Sequence, residues 1–367
     1  MRVVVDATAL PEDRGGVGRY VEGLLGALAT ELVIVCQRRD LVIFQRIAPA
    51  ATVVPIRSVW RSTPLRLLWE QLVLPGLARR HHADVLHSPH YTMPLLARLP
   101  VVVTFHDATF FSDPGVHSTL KRFFFRAWIR VSARRAAGLV VPSAATESEL
   151  RRYVELFAHV TVAHHGVDTG VFHPPTAESI DEVSRLVGAS QWIGFLGTLE
   201  PRKNLPALVT AYARLSRGRG EVPTLALAGG RGWEQELDSA EESVVAPGRV
   251  VRLGFLPVDL LPAFLGGSVM VVYPSLGEGF GLPVLEAMAS GAAVLTTRRL
   301  ALPEVGGEAV AYSEPDSDAL ERAISDLLAD EGAGSELRKR GIARASLFTW
   351  DASAKRHVDA YRLALDA

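Results

Sequence analysis

The sequence predicts an α/β protein built from two Rossmann-like domains, and three observations carry that prediction. Short apolar, β-branched runs alternate with stretches of helical spacing along the whole chain, as in repeated βαβ units. The alternation pauses at Pro174-Pro175 and restarts at Trp192, which marks a hinge between two cores. The 367 residues are enough for two such cores. The first domain is expected over residues 1–172 and the second from 173 onward.

In the first half, residues 3–6 (VVVD) read as a strand. Gly15-Gly16-Val17-Gly18 follow, then a helix over 19–28. Strand, glycine turn and helix start leave backbone N–H groups available to an anion, although a tight turn alone would also use these glycines. Val21 stands where the dinucleotide fingerprint needs its third glycine, which excludes NAD binding of that kind. Strands are expected at 32–36, 53–56, 84–87, 100–105, 138–142 and 160–163, with helices over 65–77, 120–137 and 143–154. Residues 100–105 (PVVVTF) deliver His106-Asp107 to the end of a strand, where α/β sheets place their sites. The stretch 120–137 (LKRFFFRAWIRVSARRAA) interleaves six cations with aromatics. It suits a helix lying on a membrane surface, and equally a core helix with its aromatics toward the sheet and its arginines toward water.

In the second half, residues 192–196 form a strand followed by 197–204 (GTLEPRKN). Asn204 is expected to cap a helix opened by Leu205-Pro206. That places Arg202 and Lys203 at a helix start after a strand, a natural diphosphate clamp; a surface basic pair is the plainer alternative. Strands follow at 224–228, 250–253, 269–273 and 292–296, and helices at 260–265, 319–328, 335–345 and from Trp350 onward.

The centre of this half is 275–291 (SLGEGFGLPVLEAMASG). Gly277, Gly279 and Gly281 allow close backbone approach. Pro283 suits a first helical turn and Gly291 a left-handed cap. Glu278 in the turn and Glu286 in the helix are spaced E-x7-E. Ionised carboxylates only accept hydrogen bonds, so the pair suits a hydroxyl-rich ligand such as a sugar or ribose. The same residues would also serve as a solvated turn acid and a helix-dipole complement worth about 0.3–1 kcal/mol.

GEGFGLPVLEAMASG resembles the signature of the retaining, nucleotide-sugar-dependent glycosyltransferases of GT-B fold, in the branch called glycosyltransferase family 4. That group includes bacterial mannosyltransferases, glycogen synthases and sucrose synthases. The glycines, the proline and both glutamates stand in the family's order. GTLEPRKN, LPEVG at 302–306 and HHGVD at 164–168 resemble further family segments, with His165 replacing the usual Asn, so the likeness covers nearly the whole chain. The resemblance implies an acceptor-binding domain over 1–172 joined by the crossing-back helix of 350–367, and a donor-binding domain over 173–349. It implies that Gly15 and Gly16 lie near the donor diphosphate and that Arg202 and Lys203 neutralise the departing nucleoside diphosphate. Gly254 and Leu256 would hold the nucleobase, Glu278 the sugar hydroxyls and Glu286 the ribose, with Gly279, Phe280, Gly281 and Leu282 in the same donor loop. His106 would face the donor sugar, with Asp107 as its neighbour or orienter. Likeness to bacterial mannosyltransferases of surface-polysaccharide pathways makes GDP-mannose the preferred donor; UDP- and dTDP-sugars are admitted. The acceptor is expected to be a glycan, a lipid-linked glycan or a small molecule. A phosphorylase or epimerase of related fold is the alternative, as is a non-catalytic sugar-nucleotide-binding scaffold at a membrane. None of Lys121, Lys203, Lys339 and Lys355 stands in a recognisable pyridoxal phosphate setting.

Composition sets the remaining bounds. Hydrophobic residues make up 48% and charged residues 22%, which indicates a folded globular chain. The single cysteine, Cys36, rules out an intrachain disulfide and suits a reducing, cytoplasmic setting, with peripheral contact at the inner face of the plasma membrane through 120–137. No zinc spacing appears, no cofactor is called for, and the scheme asks for no metal. Asp316-Ser317-Asp318 matches the D-x-D metal triplet formally, but it precedes an apolar helix and reads as a cap. No uncharged run of 18 apolar residues occurs, and the N-terminus reads as a strand rather than a signal peptide. Residues 1–172 carry +6 and 173–367 carry −7. The basic half would favour an anionic partner, but no nucleic-acid motif is present.

Overall fold

The structure, a computed structural model, describes the chain except for residues 13, 58, 59, 61, 113–118, 231, 233 and 234. It divides into two compact units, Met1–Gly166 with Thr349–Ala367, and Val167–Phe348. The first boundary falls before the expected 172/173. Val167 and Phe172 already pack into the second unit's core, and Val167 N–H donates to Phe348 C=O at 3.0 Å, tying the entering segment to the leaving one.

The first unit holds, among the described residues, a seven-stranded sheet in the order β3-β2-β1-β4-β5-β6-β7, with parallel pairings. Its strands are β1 Arg2–Asp6, β2 Glu31–Gln37, β3 Thr52–Ile56, β4 Val85–Ser88, β5 Val101–Thr104, β6 Gly138–Val141 and β7 His159–Val162. Successive side chains of β1 face opposite ways, as the two-residue repeat requires: Val4 enters one core, Val3 and Val5 the other. Helices α1 Gly16–Ala27 and α2 Leu41–Ile47, with the closing helix Trp350–Leu365, cover one face. On the other lie α3 Thr63–Leu72, α4 Leu74–Arg80, α5 Thr109–Ser112, α6 Thr119–Arg135 and α7 Ala144–Tyr153. The single helix expected over 65–77 is in fact α3 and α4. Pro75, in the first turn of α4, has no N–H to continue the α3 ladder, and the chain breaks at Val73. The helix at 120–137 buries Ile129, Ser132 and Ala133 and leaves Leu120 and Phe123 exposed, so it is a core helix on one side only.

The closing helix is locked into this unit by a run of buried polar groups. His357 Nδ1–H donates to Ser353 C=O at 2.8 Å, which leaves Nε2 to accept from the Tyr20 hydroxyl, also at 2.8 Å. Thr104 Oγ1 lies 2.9 Å from that hydroxyl and 2.8 Å from His87 Nε2, and the Tyr361 hydroxyl is 3.0 Å from His87 Nδ1. Each group has a partner with both rings neutral, as a buried polar network requires. At Gly23 of α1 a Cβ would meet the Trp350 ring at 2.1 Å, so glycine is what lets α1 and the closing helix pack this closely.

The second unit holds, among the described residues, a six-stranded sheet in the order β10-β9-β8-β11-β12-β13, again parallel. Its strands are β8 Trp192–Leu196, β9 Thr224–Ala228, β10 Val250–Gly254, β11 Met270–Tyr273, β12 Val294–Thr297 and β13 Ala311–Ser313. Its helices are α8 Ala177–Val187, α9 Leu205–Arg217, α10 Gln235–Glu241, α11 Leu261–Gly266, α12 Leu282–Ala289, α13 Leu302–Gly306, α14 Ser317–Ala329 and α15 Glu331–Ala345. α8 falls before Trp192, where no helix is expected; Thr176 caps it by accepting from Ser179 N–H. Gly291 has φ +78° and closes α12 as expected. Arg338 of α15 pins this unit together, donating to the carbonyls of Gly266, Ser268, Val269 and Gly291 at 2.6–3.1 Å. Among the described residues no helix is long and apolar enough to cross a membrane.

Candidate active site

Strand order reverses between β8 and β11, and loops leaving the carboxyl ends of strands at such a switch point form the natural crevice of an open parallel sheet. The loop after β8 carries Arg202 and Lys203 in a 3-10 turn, Pro201–Lys203, just ahead of α9. The loop after β11 carries Ser275 and Glu278. Leu276 N–H donates to Arg202 C=O at 2.9 Å and Arg202 Nη1 to Gly277 C=O at 2.9 Å, so the two loops are stitched together.

Glu278 is the hub. Its Oε1 accepts from Lys203 Nζ at 2.6 Å, Ser275 Oγ at 2.6 Å and the Tyr273 hydroxyl at 3.0 Å, while Oε2 pairs with Arg202. Lys203 Nζ also hydrogen-bonds the Tyr273 hydroxyl and lies over its ring. Glu278 and Lys203 are 7% and 6% exposed. Burial alone would raise the Glu278 carboxyl, but the Arg202 and Lys203 charges and the bonds from Lys203 and Ser275 outweigh it and hold it at about 2. Burial lowers Lys203, against the pull of Glu278. Glu278, which the resemblance assigns to sugar hydroxyls, has its carboxylate paired with two cations in the structure. Those cations therefore stand preorganised.

The surrounding backbone suits an anion. α12 starts at Gly281, φ +106°, and α9 at Asn204, φ +58°, neither with a side-chain cap on its first N–H groups. Asn204 occupies the cap position as expected, but its amide donates to the carbonyls of Pro274 and Pro315, bracing the β11 loop. The glycines just after β8 and β9 and at the end of β10 run side by side: Gly197 N–H bonds Ala228 C=O and Gly229 N–H bonds Gly254 C=O. A Cβ on Gly229 would sit 1.9 Å from the Gly197 carbonyl oxygen. Gly279 and Phe280 continue the Glu278 loop into Gly281 and Leu282, with Phe280 and Leu282 in the core. Glu286, on α12, is 2% exposed. Gly254 has φ +67° and open space at its Cβ position. Leu256, expected at the nucleobase, belongs to the core, while its neighbour Phe255 is exposed. Sequence reasoning passed over Tyr273, Ser275 and Phe255. The signal available for each was its place at or just after the carboxyl end of a strand.

In the first unit the reversal lies between β1 and β4. Gly15 stands at the start of α1, without a side-chain cap, and helical geometry begins at Gly16, three residues earlier than expected. His106 follows β5 and is buried. Its Nε2 lies 2.7 Å from Pro89 C=O, which can only accept, so Nε2 bears the proton and Nδ1 carries the lone pair. Burial lowers its pKa, opposed by the Pro89 bond and the Asp107 charge, and the ring is neutral at pH 7. Asp107 does not orient it by hydrogen bonding: Oδ1 accepts from the Tyr91 hydroxyl, Thr109 N–H and Thr109 Oγ1. The orienter is Pro89, with Tyr20 edge-on at 5.0 Å. Asp316 is a helix cap as expected, accepting from Asp318 and Ala319 N–H, and Asp318 pairs with Arg214.

Two parallel α/β units with anion-ready loops at their switch points define the GT-B class of glycosyltransferase. Residues 14–171 match the family Glycosyltransferase Family 4, and residues 176–347 match Glycosyl transferases group 1. The O-antigen chain mannosyltransferase B of Escherichia coli is 32% identical over 314 residues, covering 83% of this chain and 81% of that protein. A D-inositol 3-phosphate glycosyltransferase of Acidothermus cellulolyticus is 28% identical, covering 96% of this chain and 86% of that one. The chain belongs to glycosyltransferase family 4. The fold is shared with sucrose-phosphate synthase of Thermosynechococcus elongatus, with TM-score 0.79, 19% identity and 98% of each chain covered. It is also shared with Anabaena HepE in complex with UDP and glucose, with TM-score 0.77, 18% identity and 98% of each covered.

Proposed function

We propose that this glycosyltransferase moves a mannosyl group from GDP-mannose to a hydroxyl of a glycan or lipid-linked glycan, with retention of the anomeric configuration and without a metal. The donor is held by the second unit and the acceptor by the first. The observation that carries the reading is the Arg202–Lys203–Glu278 triad at the β8/β11 switch point. The donor identity is supported by the likeness to the E. coli mannosyltransferase.

The chemistry follows from what each group can do. The bond from the anomeric carbon to the β-phosphate oxygen breaks as the acceptor oxygen bonds the same face of that carbon. The acceptor proton passes to the departing diphosphate. Glu278, saturated with donors and held at about 2, is a poor nucleophile and a poor base, which favours this route over a glycosyl-enzyme intermediate. Arg202, Lys203 and the uncapped starts of α9 and α12 stabilise the leaving diphosphate. Glu286 takes ribose hydroxyls, and the His106 Nδ1 lone pair accepts a sugar hydroxyl. The reaction takes place in the cytoplasm, with residues 120–137 bringing the chain to the inner face of the plasma membrane.

A thermal-shift panel of GDP-mannose, UDP-glucose, UDP-GlcNAc and dTDP-rhamnose, run without metal, tests the reading. A ligand binding only the folded state at about 100 times its Kd stabilises by ~2.7 kcal/mol. The expected result is a shift with GDP-mannose that disappears in Lys203→Ala, followed by turnover to an α-linked product by NMR. A shift confined to another nucleotide would overturn the donor, an inverted product the stereochemistry, and binding without turnover the enzymatic role.

A further inference from the structure

Among the described residues the His106 ring makes one hydrogen bond, from Nε2–H to Pro89 C=O at 2.7 Å. One bond fixes a point on the ring and leaves its plane free to pivot, which would swing the Nδ1 lone pair off its line. Two phenols oppose that motion. Tyr20 of α1 meets the imidazole edge-on, with ring centres 5.0 Å apart and planes at 77°. Tyr91, in the loop after β4, meets it at 5.9 Å and 79°. Edge-to-face contacts of this kind favour one angle between the rings.

Each phenol is itself anchored through its hydroxyl. Tyr20 is fully buried, and its hydroxyl lies between His357 Nε2 at 2.8 Å and Thr104 Oγ1 at 2.9 Å. His357 Nδ1–H is committed to the Ser353 carbonyl, so Nε2 accepts and the Tyr20 hydroxyl donates to it. For every further contact to carry a hydrogen, Thr104 donates to the Tyr20 oxygen, His87 Nε2–H to Thr104, and the Tyr361 hydroxyl to His87 Nδ1. Links that all donate in one direction strengthen one another. Burial raises the Tyr20 phenol and lowers both imidazoles, so the order of protons holds at neutral pH. The Tyr91 hydroxyl donates to Asp107 Oδ1 at 3.0 Å, an oxygen that also accepts from Thr109 N–H and Oγ1. Tyr91 stands at φ +50°, a left-handed conformation that is costly for a tyrosine and persists where its surroundings over-determine it. Ser132 Oγ adds to that restraint by donating to Tyr91 C=O at 2.7 Å.

We propose that Tyr20 and Tyr91 are positioning residues that clamp the plane of His106, so that His357 of the closing helix and Asp107 act on sugar transfer through them. The clamp rests on the role given above to His106, whose Nδ1 accepts a sugar hydroxyl, and accounts for how that lone pair is kept in line. Asp107 then orients His106 by way of Tyr91, without a hydrogen bond of its own to the imidazole. The closing helix contributes more than packing, because its His357 is the acceptor that fixes the Tyr20 hydroxyl.

The test uses the full chain and two readouts. Nitrogen-15 spectra of the histidine side chains, with His106 assigned through His106→Ala, should show a single Nε2–H tautomer for His106. In Tyr20→Phe and Tyr91→Phe they should show a mixture of tautomers. This readout needs no substrate. Turnover is followed as GDP release from GDP-mannose with methyl α-mannoside as acceptor. Each tyrosine variant should lose about ten- to 10²-fold in kcat, the scale of a misplaced reacting group, while the thermal shift induced by GDP is retained. In a His106→Ala background the same changes should have no further effect, within about twofold. Tyr361→Phe, at the far end of the hydrogen-bond chain, should lower Tm and leave kcat alone. Thr104→Val, which removes one partner of the Tyr20 hydroxyl and keeps the side-chain shape, replaces Tyr20→Phe should that variant fold poorly by circular dichroism. A single His106 tautomer in both folded tyrosine variants overturns the clamp. So do kcat losses that add to the loss in His106→Ala, or that Tyr361→Phe equals. Normal turnover in His106→Ala would instead overturn the role given to His106, and the spectra would still decide the clamp.

Discussion

At the scale of single residues, Glu278 separates two roles that its sequence position alone leaves joined. If it held only sugar hydroxyls, Glu278→Gln would weaken the donor and leave stability alone. Tied as it is to Arg202 and Lys203, the change strands the buried Lys203 and removes one partner of the half-buried Arg202, and breaking a buried pair in this way costs about 3–5 kcal/mol. The expected outcome is a lower urea midpoint for Val167–Phe348 together with loss of donor binding; an unchanged midpoint would return Glu278 to the sugar. Lys203→Ala should reduce turnover by about 10²–10³, as loss of a transition-state donor does, and near-normal turnover would remove Lys203 from the clamp. The types and order of these residues were legible in GEGFGLPVLE and GTLEPRKN. Their mutual pairing was not, because nothing in a linear string brings residue 203 to within hydrogen-bond reach of 278. That proximity comes from β8 and β11 lying side by side at the strand-order reversal. Likewise His106 was legible as a strand-end histidine, but its orienting partner was not. Pro89 acts through a backbone carbonyl, and every residue has one.

At the scale of elements, the sequence located the strands well because a fully buried parallel sheet is written as short β-branched runs, which few other structures produce. It misjudged elements where a local cue competed with packing. The apolar spacing of 65–77 ran through Pro75 and read as one helix. The 120–137 helix carried signals for a membrane surface and for a core helix, and in the structure it buries Ile129, Ser132 and Ala133 against the sheet. Helix caps were legible when a side chain acts on its own turn, as Asp316 does, and not when the side chain reaches elsewhere, as Asn204 does. Asp316→Ala should lower stability slightly, through loss of the cap, and leave activity unchanged with or without added divalent ions. An activity loss that Mn²⁺ modulates would show that the triplet binds metal after all. Arg338 carries more weight. It ties α15 to the ends of α11 and α12 and to the lead-in of β11 through four carbonyls, and Arg338→Ala leaves those acceptors without their donor. A loss of about 3 kcal/mol or more is expected from chemical denaturation, with little recovery in Arg338→Lys, whose single ammonium cannot span the same fork.

At the scale of the whole chain, the two units should part company as pH falls. The first unit buries His87, His106, His165 and His357 and half-buries His90. Burial is the leading cause that lowers all five, His90 to about 3 and His357 to about 4. For a histidine whose folded pKa lies below its unfolded value near 6.5, the unfolded chain binds the proton first. Stability is therefore intact above about pH 6.5 and falls as pH drops below it, down toward the folded value. At pH 5.5 His90 and His357, held at about 3 and about 4, cost about 1 kcal/mol each, and His87, His106 and His165 act in the same direction. Glu70 opposes this. Burial, then the nearby Asp6 charge, raises it to about 7 despite its Arg66 partner, so it gains a proton on folding and returns about 2 kcal/mol over the same interval. Five imidazoles outweigh one carboxyl, and the sign for the first unit is destabilisation. The geometry explains why the rings resist protonation. His357 already spends Nδ1–H on Ser353 and needs the Nε2 lone pair for Tyr20, and His87 sits between Thr104 and Tyr361. In the second unit Glu278 has a depressed carboxyl, whose contribution to stability is present above about pH 4.5 and is lost only as pH falls toward 2. Hydrogen–deuterium exchange by mass spectrometry, corrected for intrinsic rates, should show peptides of Met1–Gly166 and Thr349–Ala367 opening between pH 7.5 and 5.5 while those of Val167–Phe348 hold. Equal opening in both units would mean that the buried histidines do not govern acid stability, and opening confined to the second would reverse the assignment.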